Sequence, residues 1–134
     1  MKLIGVSPIL EEEPLKTAVI LVVEDEILIR IAACDELRDA GFRVIEADSA
    51  DEALAIINSG VEIDLVLTDV RMPGTMDGLA LRARIQQSHP QMPVIITSGH
   101  LPSGTFFEGR TDFLSKPYDG ARMINLIQNR LRCE

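Results

Sequence analysis

The sequence predicts an α/β protein: a doubly wound, five-stranded parallel sheet with helices on both faces. Short apolar runs alternate with helix-like segments five times along the chain. Most of these runs are rich in β-branched residues and apolar throughout, which is typical of strands buried on both faces. Because βαβ crossovers are right-handed, the alternation gives a parallel sheet, and we expect the strand order 2-1-3-4-5.

The strand positions follow from the apolar runs. The runs 18–23 and 93–98 are apolar almost throughout, and a third run is apolar up to its final carboxylate, Asp69. By contrast, the run 42–47 alternates between apolar and polar residues, so we expect it nearer an edge of the sheet. In chain order, the predicted strands are residues 18–23, 42–47, 63–69, 93–98 and 111–115.

Start and stop signals bound the helices. Ser49 followed by Glu52 is a capping-box pattern that begins the second helix, and Gly41 and Gly60 end the first and the second. Helix breakers leave residues 99–110 room for one short helix at most. The predicted helices begin near residues 27, 49, 77 and 119 and end near residues 40, 60, 88 and 131. Helical spacing predicts these inward-facing residues: Ile27, Ile31, Cys34 and Leu37 on the first helix, and Ile124, Ile127 and Leu131 on the last.

Length, composition and charge exclude several classes of protein. With 134 residues and 46% hydrophobic content, the chain suits one domain. We assign that domain to residues 17–132 and expect residues 1–16, with two prolines and an acidic cluster, to be a flexible tail. The net charge of −8 argues against a nucleic-acid-binding surface, and no apolar run is long enough to cross a membrane. Cys34 and Cys133 lie far apart and without metal-ligand spacing, which fits the reducing cytoplasm.

Polar side chains follow four of the predicted strands, at the C-terminal ends that share one rim of a parallel sheet. Carboxylates brought together there would repel one another unless a cation lay among them, and hard oxygen ligands suit Mg²⁺. A lysine supplies a point charge for a phosphoryl group. The set therefore indicates magnesium-dependent phosphoryl transfer onto a carboxylate. Its members are Glu24 and Asp25 after the first strand, Asp69 after the third, Thr97 and Ser98 after the fourth, and Lys116 after the fifth.

Each of these residues also has an ordinary structural interpretation. Acidic residues stabilise a helix N-terminus, a serine after a strand is usually a turn residue, and a lone Lys-Pro pair usually carries no function. The joint occurrence at four strand ends is what favours chemistry at Asp69.

Five short motifs at these separations are characteristic of one family. They are VVEDE at 22–26, LTDVRMPG at 67–74, DG at 77–78, VIITSG at 94–99 and KPY at 116–118. Over about residues 17–132, the chain closely resembles the receiver domain of bacterial two-component response regulators. The resemblance implies a flavodoxin-like receiver fold whose aspartate accepts a phosphoryl group from a histidine kinase.

The resemblance also implies roles for individual residues. Asp69 matches the phosphoacceptor, and Glu24 and Asp25 match the acidic pair that holds Mg²⁺ together with it. Arg71 matches the position whose backbone carbonyl completes the metal site. Lys116 matches the phosphate-binding lysine, whose bond to the following proline is cis in the family.

Further positions match the parts of the family that switch and tune the signal. Ser98 matches the switch hydroxyl; Thr97 is the alternative, but strand alternation sends their side chains to opposite faces, and the alignment selects Ser98. Phe113 matches the switch aromatic, although a fixed core aromatic is an equally ordinary role. Arg71 and Gly99 lie where the family tunes the lifetime of the phosphoryl group. The loop after Asp69 carries one residue more than the usual motif.

From this resemblance we expect a phosphoryl-accepting switch that catalyses only its own phosphorylation and dephosphorylation. Its expected partners are a histidine kinase or a histidine phosphotransfer protein, and a downstream protein target. We expect a cytoplasmic monomer or weak dimer that contacts neither nucleic acid nor membrane.

Two other classes of protein fit parts of the pattern. A pseudo-receiver, which would dock without phosphorylation, has no need of the acidic pair, Asp69 and Lys116 together. A flavodoxin-like or Rossmann-type cofactor binder would need a Gly-rich phosphate loop after the first strand. That position holds Glu24 and Asp25, which would repel phosphate in the absence of a metal.

Overall fold

The computed structural model describes residues 17–72, 74–99 and 113–132, which form a parallel sheet covered by helices. The strand order is β2-β1-β3-β4-β5 and all neighbouring strands are parallel, so the predicted fold class and order are confirmed. The strands are β1 (Val19–Val23), β2 (Arg43–Ala47), β3 (Leu65–Asp69), β4 (Val94–Ser98) and β5 (Phe113–Ser115). The helices are α1 (Ile27–Asp39), α2 (Ala50–Asn58), α3 (Gly78–Ser88) and α4 (Gly120–Arg132).

Burial of the strands follows their sequence patterns. Strands β1 and β4 are buried at every position, and β3 is buried up to Asp69, which is half-buried. Strand β2 is exposed or half-buried until Ala47, as expected of an edge strand. Central strands therefore carry the continuous apolar runs, because both of their faces are covered by helices.

The core forms two layers, one on each face of the sheet. One layer lies under α2 and α3, and the other under α1 and α4. The first contains Leu21, Val23, Ala53, Ile57, Val66, Val70, Met76, Leu81, Ile85 and Ile96, among others. The second contains Ile20, Val22, Ala33, Cys34, Leu37, Leu65, Leu67, Ile95, Leu114, Met123 and Ile127.

The predicted helix boundaries rest on local hydrogen bonds. The Ser49 hydroxyl accepts from the Glu52 N–H at 3.1 Å, while the Glu52 carboxylate accepts from the N–H of Asp48, one residue before the cap. After α1 and α2 the chain turns at Gly41 and Gly60, whose φ angles of 100° and 90° favour glycine. The capping-box prediction and both glycine stops are thus confirmed.

The predicted inward face of α1 is partly wrong. Cys34 and Leu37 are buried, but Ile27 and Ile31 are 58% and 44% exposed. The buried side of α1 runs through Ala33 and Leu37, and Ile27 and Ile31 lie toward its margin. On α4, Ile127 is buried as predicted, while Ile124 and Leu131 are half-buried against the core; Met123, buried beside them, was missed.

Some expectations fall on residues outside the described part of the chain. These are the flexible tail at 1–16, the helix-breaking stretch from residue 100 onward, the first two residues of the fifth strand, and Cys133. Cys34 is in the core, where burial raises the pKa of its thiol to about 11. No helix in the described part is both long enough and apolar enough to span a bilayer.

Candidate functional site

Asp69 ends β3 at the C-terminal rim of the sheet, with both carboxylate oxygens in defined contacts. Oδ1 accepts from the backbone N–H of Val70 at 2.9 Å, and Oδ2 lies 3.4 Å from Nζ of Lys116. The same Val70 N–H also donates to the carbonyl of Thr97 on β4 at 3.1 Å. These contacts orient the carboxylate toward the crevice between the strand ends.

Three carboxylates meet at this rim. Glu24, Asp25 and Asp69 each offer an oxygen, and these atoms lie within 4.8 Å of one another. Glu24 is only 5% exposed. An oxygen-only donor set of this kind suits a hard divalent cation, and the three residues could hold a metal ion.

Lys116 reaches this cluster from the end of β5. Its Nζ lies 3.1 Å from Oε1 of Glu24 as well as 3.4 Å from Asp69, so one ammonium serves two carboxylates. The Lys116–Pro117 peptide bond is cis, in agreement with the resemblance.

The pKa shifts of Glu24 and Lys116 show that the site carries excess negative charge. Burial raises the pKa of Glu24, and the charge of Asp69 raises it further, against the opposing effect of Lys116. Burial alone would lower the pKa of Lys116, but its contacts with Glu24 and Asp69 outweigh burial and raise it. Lys116 is therefore charged at neutral pH, yet one ammonium does not fully compensate the carboxylates. A bound cation would relieve the remainder.

The two hydroxyls at the end of β4 lie in different places. Ser98 lines an open crevice of about 240 Å³ together with Asp25, Asp69 and Lys116. Thr97 instead lines a much smaller space of about 10 Å³, shared with Glu24 and Tyr118 on the side of α1. Both pockets reach Asp69, but the open crevice is the one with room for a phosphoryl group, and Ser98 is its hydroxyl.

The remaining predicted residues surround the crevice at different depths. Arg71 is exposed and, like Gly99, lines the crevice directly. A side-chain Cβ at Gly99 would lie 3.7 Å from Cβ of Lys116, so a larger residue there would contact the lysine. Phe113 is half-buried at the start of β5 and packs against the layer under α2 and α3. It is not part of the crevice lining among the described residues.

The loop from β3 to α3 contains a close approach that sequence reasoning missed. Gly78 donates its N–H to the carbonyl of Val70 at 2.8 Å. A Cβ at Gly78 would collide with the carbonyl oxygen of Asp69 and lie 2.8 Å from its carbonyl carbon. The sequence signal was the Asp-Gly pair, which we interpreted as a helix start and as one of the family motifs, without a structural reason for the glycine. The glycine is also what allows α3 to begin against the backbone of Asp69.

Comparison with known proteins agrees with the fold. The chain belongs to the response regulator receiver domain family, whose profile matches residues 20–128. Members of this family are phosphoaccepting switches of two-component signalling. The resemblance drawn from the sequence motifs is thereby confirmed.

Similar proteins include transcriptional regulators and isolated receiver domains. The chain is 34% identical over 121 residues to the DNA-binding transcriptional regulator NtrC of Salmonella typhimurium, covering 87% of this chain and 25% of that protein. It is 36% identical to the C4-dicarboxylate transport transcriptional regulatory protein DctD of Rhizobium meliloti, covering 86% of this chain and 25% of that protein. The chain thus spans about a quarter of the length of these relatives.

Solved structures resemble the fold throughout. The receiver domain of NtrX from Brucella abortus superposes with a TM-score of 0.77 at 38% identity, over 86% of this chain and 99% of that one. A response regulator receiver protein from Sinorhizobium medicae gives a TM-score of 0.78 at 29% identity, over 89% and 98%.

Proposed function

We propose that this protein accepts a phosphoryl group on Asp69 from a phosphohistidine, in a reaction that requires Mg²⁺. The observation that carries the proposal is the placement of Asp69: its carboxylate is held by the Val70 N–H and Lys116, within 4.8 Å of two further carboxylate oxygens. A pseudo-receiver would have no use for this complete set. The domain assignment of 17–132 belongs to the same proposal.

The chemistry uses this chain mainly for orientation and charge. Oδ2 of Asp69 faces the crevice beside Lys116, where it can attack the phosphorus; the O–P bond forms as the P–N bond to the histidine breaks, and the imidazole leaves with that electron pair. Lys116 then lies next to the new phosphoryl oxygens. Mg²⁺, when bound, supplies positive charge against the phosphoryl oxygens. Glu24, Asp25, Asp69 and the backbone carbonyl of Arg71 are the groups proposed to hold it.

Phosphorylation would then shift an equilibrium between two arrangements of the face around β4 and β5. Ser98, which lines the crevice, is the proposed switch hydroxyl, and Phe113 the proposed switch aromatic. Arg71 and Gly99 border the site of the phosphoryl group, where they would control access of water and so its lifetime. The protein would catalyse only its own phosphorylation and dephosphorylation.

The proposed partners are proteins. A histidine kinase or a histidine phosphotransfer protein would supply the phosphoryl group, and a downstream protein would read the altered face. The net charge of −8 disfavours direct contact of this domain with nucleic acid, although some relatives are named as DNA-binding regulators. We propose a cytoplasmic location and a monomer or weak dimer.

Labelling with a small phosphodonor tests the proposal. Incubated with radiolabelled acetyl phosphate, the wild type should take up label with Mg²⁺ and not with excess EDTA. Asp69→Asn should take up none, because the amide cannot form the acyl phosphate. Asp39→Asn, at the exposed far end of α1, is the matched control and should label like the wild type. Equal labelling of Asp69→Asn and wild type would refute the assignment.

A further inference from the structure

We propose that Arg30 on α1 is a positioning residue for the phosphotransfer site formed by Glu24, Asp25 and Asp69. Its guanidinium holds the backbone carbonyl of Glu24 and thereby sets the direction in which the chain presents Asp25. This inference rests on the proposed function, because it assigns Arg30 a part in metal binding and phosphotransfer at that same site.

The guanidinium of Arg30 bridges two segments of the chain. Nη1 donates to the carbonyl of Glu24 at 2.8 Å, and Nε donates to Oε1 of Glu46 on β2 at 3.0 Å. The Arg30 side chain is 16% exposed, so solvent competes little for either contact. A guanidinium presents its N–H groups in one rigid plane, which lets it hold two acceptors at a fixed angle.

The backbone of Glu24 is consequently tied to β2 through both of its polar groups. Its N–H donates to the carbonyl of Ala47 at 3.0 Å, and its carbonyl is linked through Arg30 to the adjacent residue, Glu46. The carbonyl of Glu24 and the N–H of Asp25 belong to one rigid peptide plane. Holding that carbonyl therefore restricts the backbone from which the Asp25 carboxylate projects.

Arg38 also pairs with Glu46 but has no described hydrogen bond to Glu24, so it serves as the comparison for Arg30. It lies two turns further along α1, and its Nη2 is 3.3 Å from Oε2 of the same carboxylate. The Arg38 side chain is 46% exposed, and its other described acceptor is the carbonyl of Val44, at 3.4 Å. Of the two arginines, Arg30 is the one that connects Glu46 to the backbone of Glu24.

The test compares Arg30→Met with Arg38→Met, because each variant removes one guanidinium from Glu46. Mg²⁺ is titrated into ¹⁵N-labelled protein and followed at the backbone amides of Asp25 and Glu26; phosphorylation by acetyl phosphate is timed separately. We expect Arg30→Met to weaken Mg²⁺ binding about tenfold and to slow phosphorylation at subsaturating Mg²⁺. Arg38→Met should keep its Mg²⁺ affinity within about twofold, as expected for an exposed ion pair.

Two milder variants cover the case in which Arg30→Met does not fold. Arg30→Lys keeps the charge but replaces the planar fork by a point charge, so it should recover stability to urea more completely than Mg²⁺ affinity. Glu46→Gln keeps the hydrogen bond from Arg30 to the Glu24 carbonyl but weakens the contact between Arg30 and residue 46. The Mg²⁺ affinity of this variant should therefore lie between those of wild type and Arg30→Met.

The outcomes separate this inference from the proposed function. Wild-type Mg²⁺ affinity in every folded Arg30 variant, or equal losses in Arg30→Met and Arg38→Met, would overturn the positioning role and leave the phosphoacceptor role intact. A wild type that neither binds Mg²⁺ nor becomes phosphorylated would overturn both.

Discussion

The two faces of the sheet approach the functional rim in different ways. On the face of α2 and α3, the chain packs up to the site: Val70 and Met76 are buried, and Gly78 lies against the backbone of Asp69. On the face of α1 and α4, a cavity of about 720 Å³ lies beside the rim, between Leu28 on α1 and Tyr118 after β5. Leu28 itself is 78% exposed.

This contrast separates two requirements of the site. On the face of α2 and α3, here called the closed face, Gly78 is held against the acceptor, because a Cβ added at Gly78 would meet the backbone of Asp69. At the rim, the open face of α1 and α4 carries exposed apolar side chains such as Leu28, which contribute little to stability, so their sequence is less constrained by folding. Substitutions near the rim should therefore cost more on the closed face than at the exposed positions of the open face.

The largest expected effect is a core truncation on the closed face. Leu81→Ala on α3 removes a fully buried side chain and should lower the free energy of unfolding by about 2–5 kcal/mol. Leu28→Ala on the open face should change it by less than about 0.5 kcal/mol. Urea denaturation of both variants measures the difference. Similar losses would mean that Leu28 is covered in solution.

A second pair of variants compares two glycines that each begin a helix. Gly78→Ala forces a methyl group onto the Asp69 carbonyl and should cost about 1–3 kcal/mol, with slower labelling of Asp69. In Gly120→Ala, the three atoms nearest to the new methyl group all belong to the carboxylate of Glu36, an exposed side chain that can move aside. That variant should stay within about 0.5 kcal/mol of wild type. Equal tolerance at both positions would show that the closed face yields as easily as the open one.

The smallest expected effect depends on pH and concerns the charge at the rim. Because burial and Asp69 raise the pKa of Glu24, ionised Glu24 opposes folding in the absence of metal. The stability associated with its neutral form is fully present below the ordinary pKa of 4.5 and is lost as the pH rises through the raised value.

Metal-free Glu24→Gln should accordingly melt above wild type at pH 7, and the gain should shrink as the pH falls through the raised pKa of Glu24 toward 4.5. Thermal melts in EDTA at several pH values measure it. The same variant should bind Mg²⁺ more weakly, which distinguishes a metal ligand from an unfavourable buried charge. Asp39→Asn, which changes an exposed carboxylate away from the rim, is the control for the substitution itself.

The fold was predictable because its signals are local. Continuous apolar runs marked β1, β3 and β4 as central strands, and alternation marked β2 as an edge strand. Helix periodicity failed at Ile27 and Ile31, since their spacing from Cys34 also fits a stripe along the margin of the buried side of α1. The strand-end residues could be grouped because parallel strands share one rim.

Contacts between distant segments were beyond the sequence. The approach of Gly78 to Asp69 depends on how the loop after β3 folds back, and no local pattern encodes that distance. The bridge of Arg30 between Glu24 and Glu46 likewise joins a helix, a strand end and an edge strand. Composition and spacing identify the side chains, while the backbone geometry between them appears only in three dimensions.

The amide of Val70 gives the acceptor a mechanical connection to the neighbouring strand. One hydrogen is shared between the Asp69 carboxylate and the Thr97 carbonyl, at 2.9 and 3.1 Å. When the Asp69 carboxylate moves or its charge changes, the strength of the hydrogen bond from the Val70 N–H to the Thr97 carbonyl changes as well. The pairing between the ends of β3 and β4 changes with it. Ser98 follows Thr97 directly in the chain. A change at the Asp69 carboxylate can therefore be transmitted to the end of β4 through the backbone hydrogen bond between Val70 and Thr97.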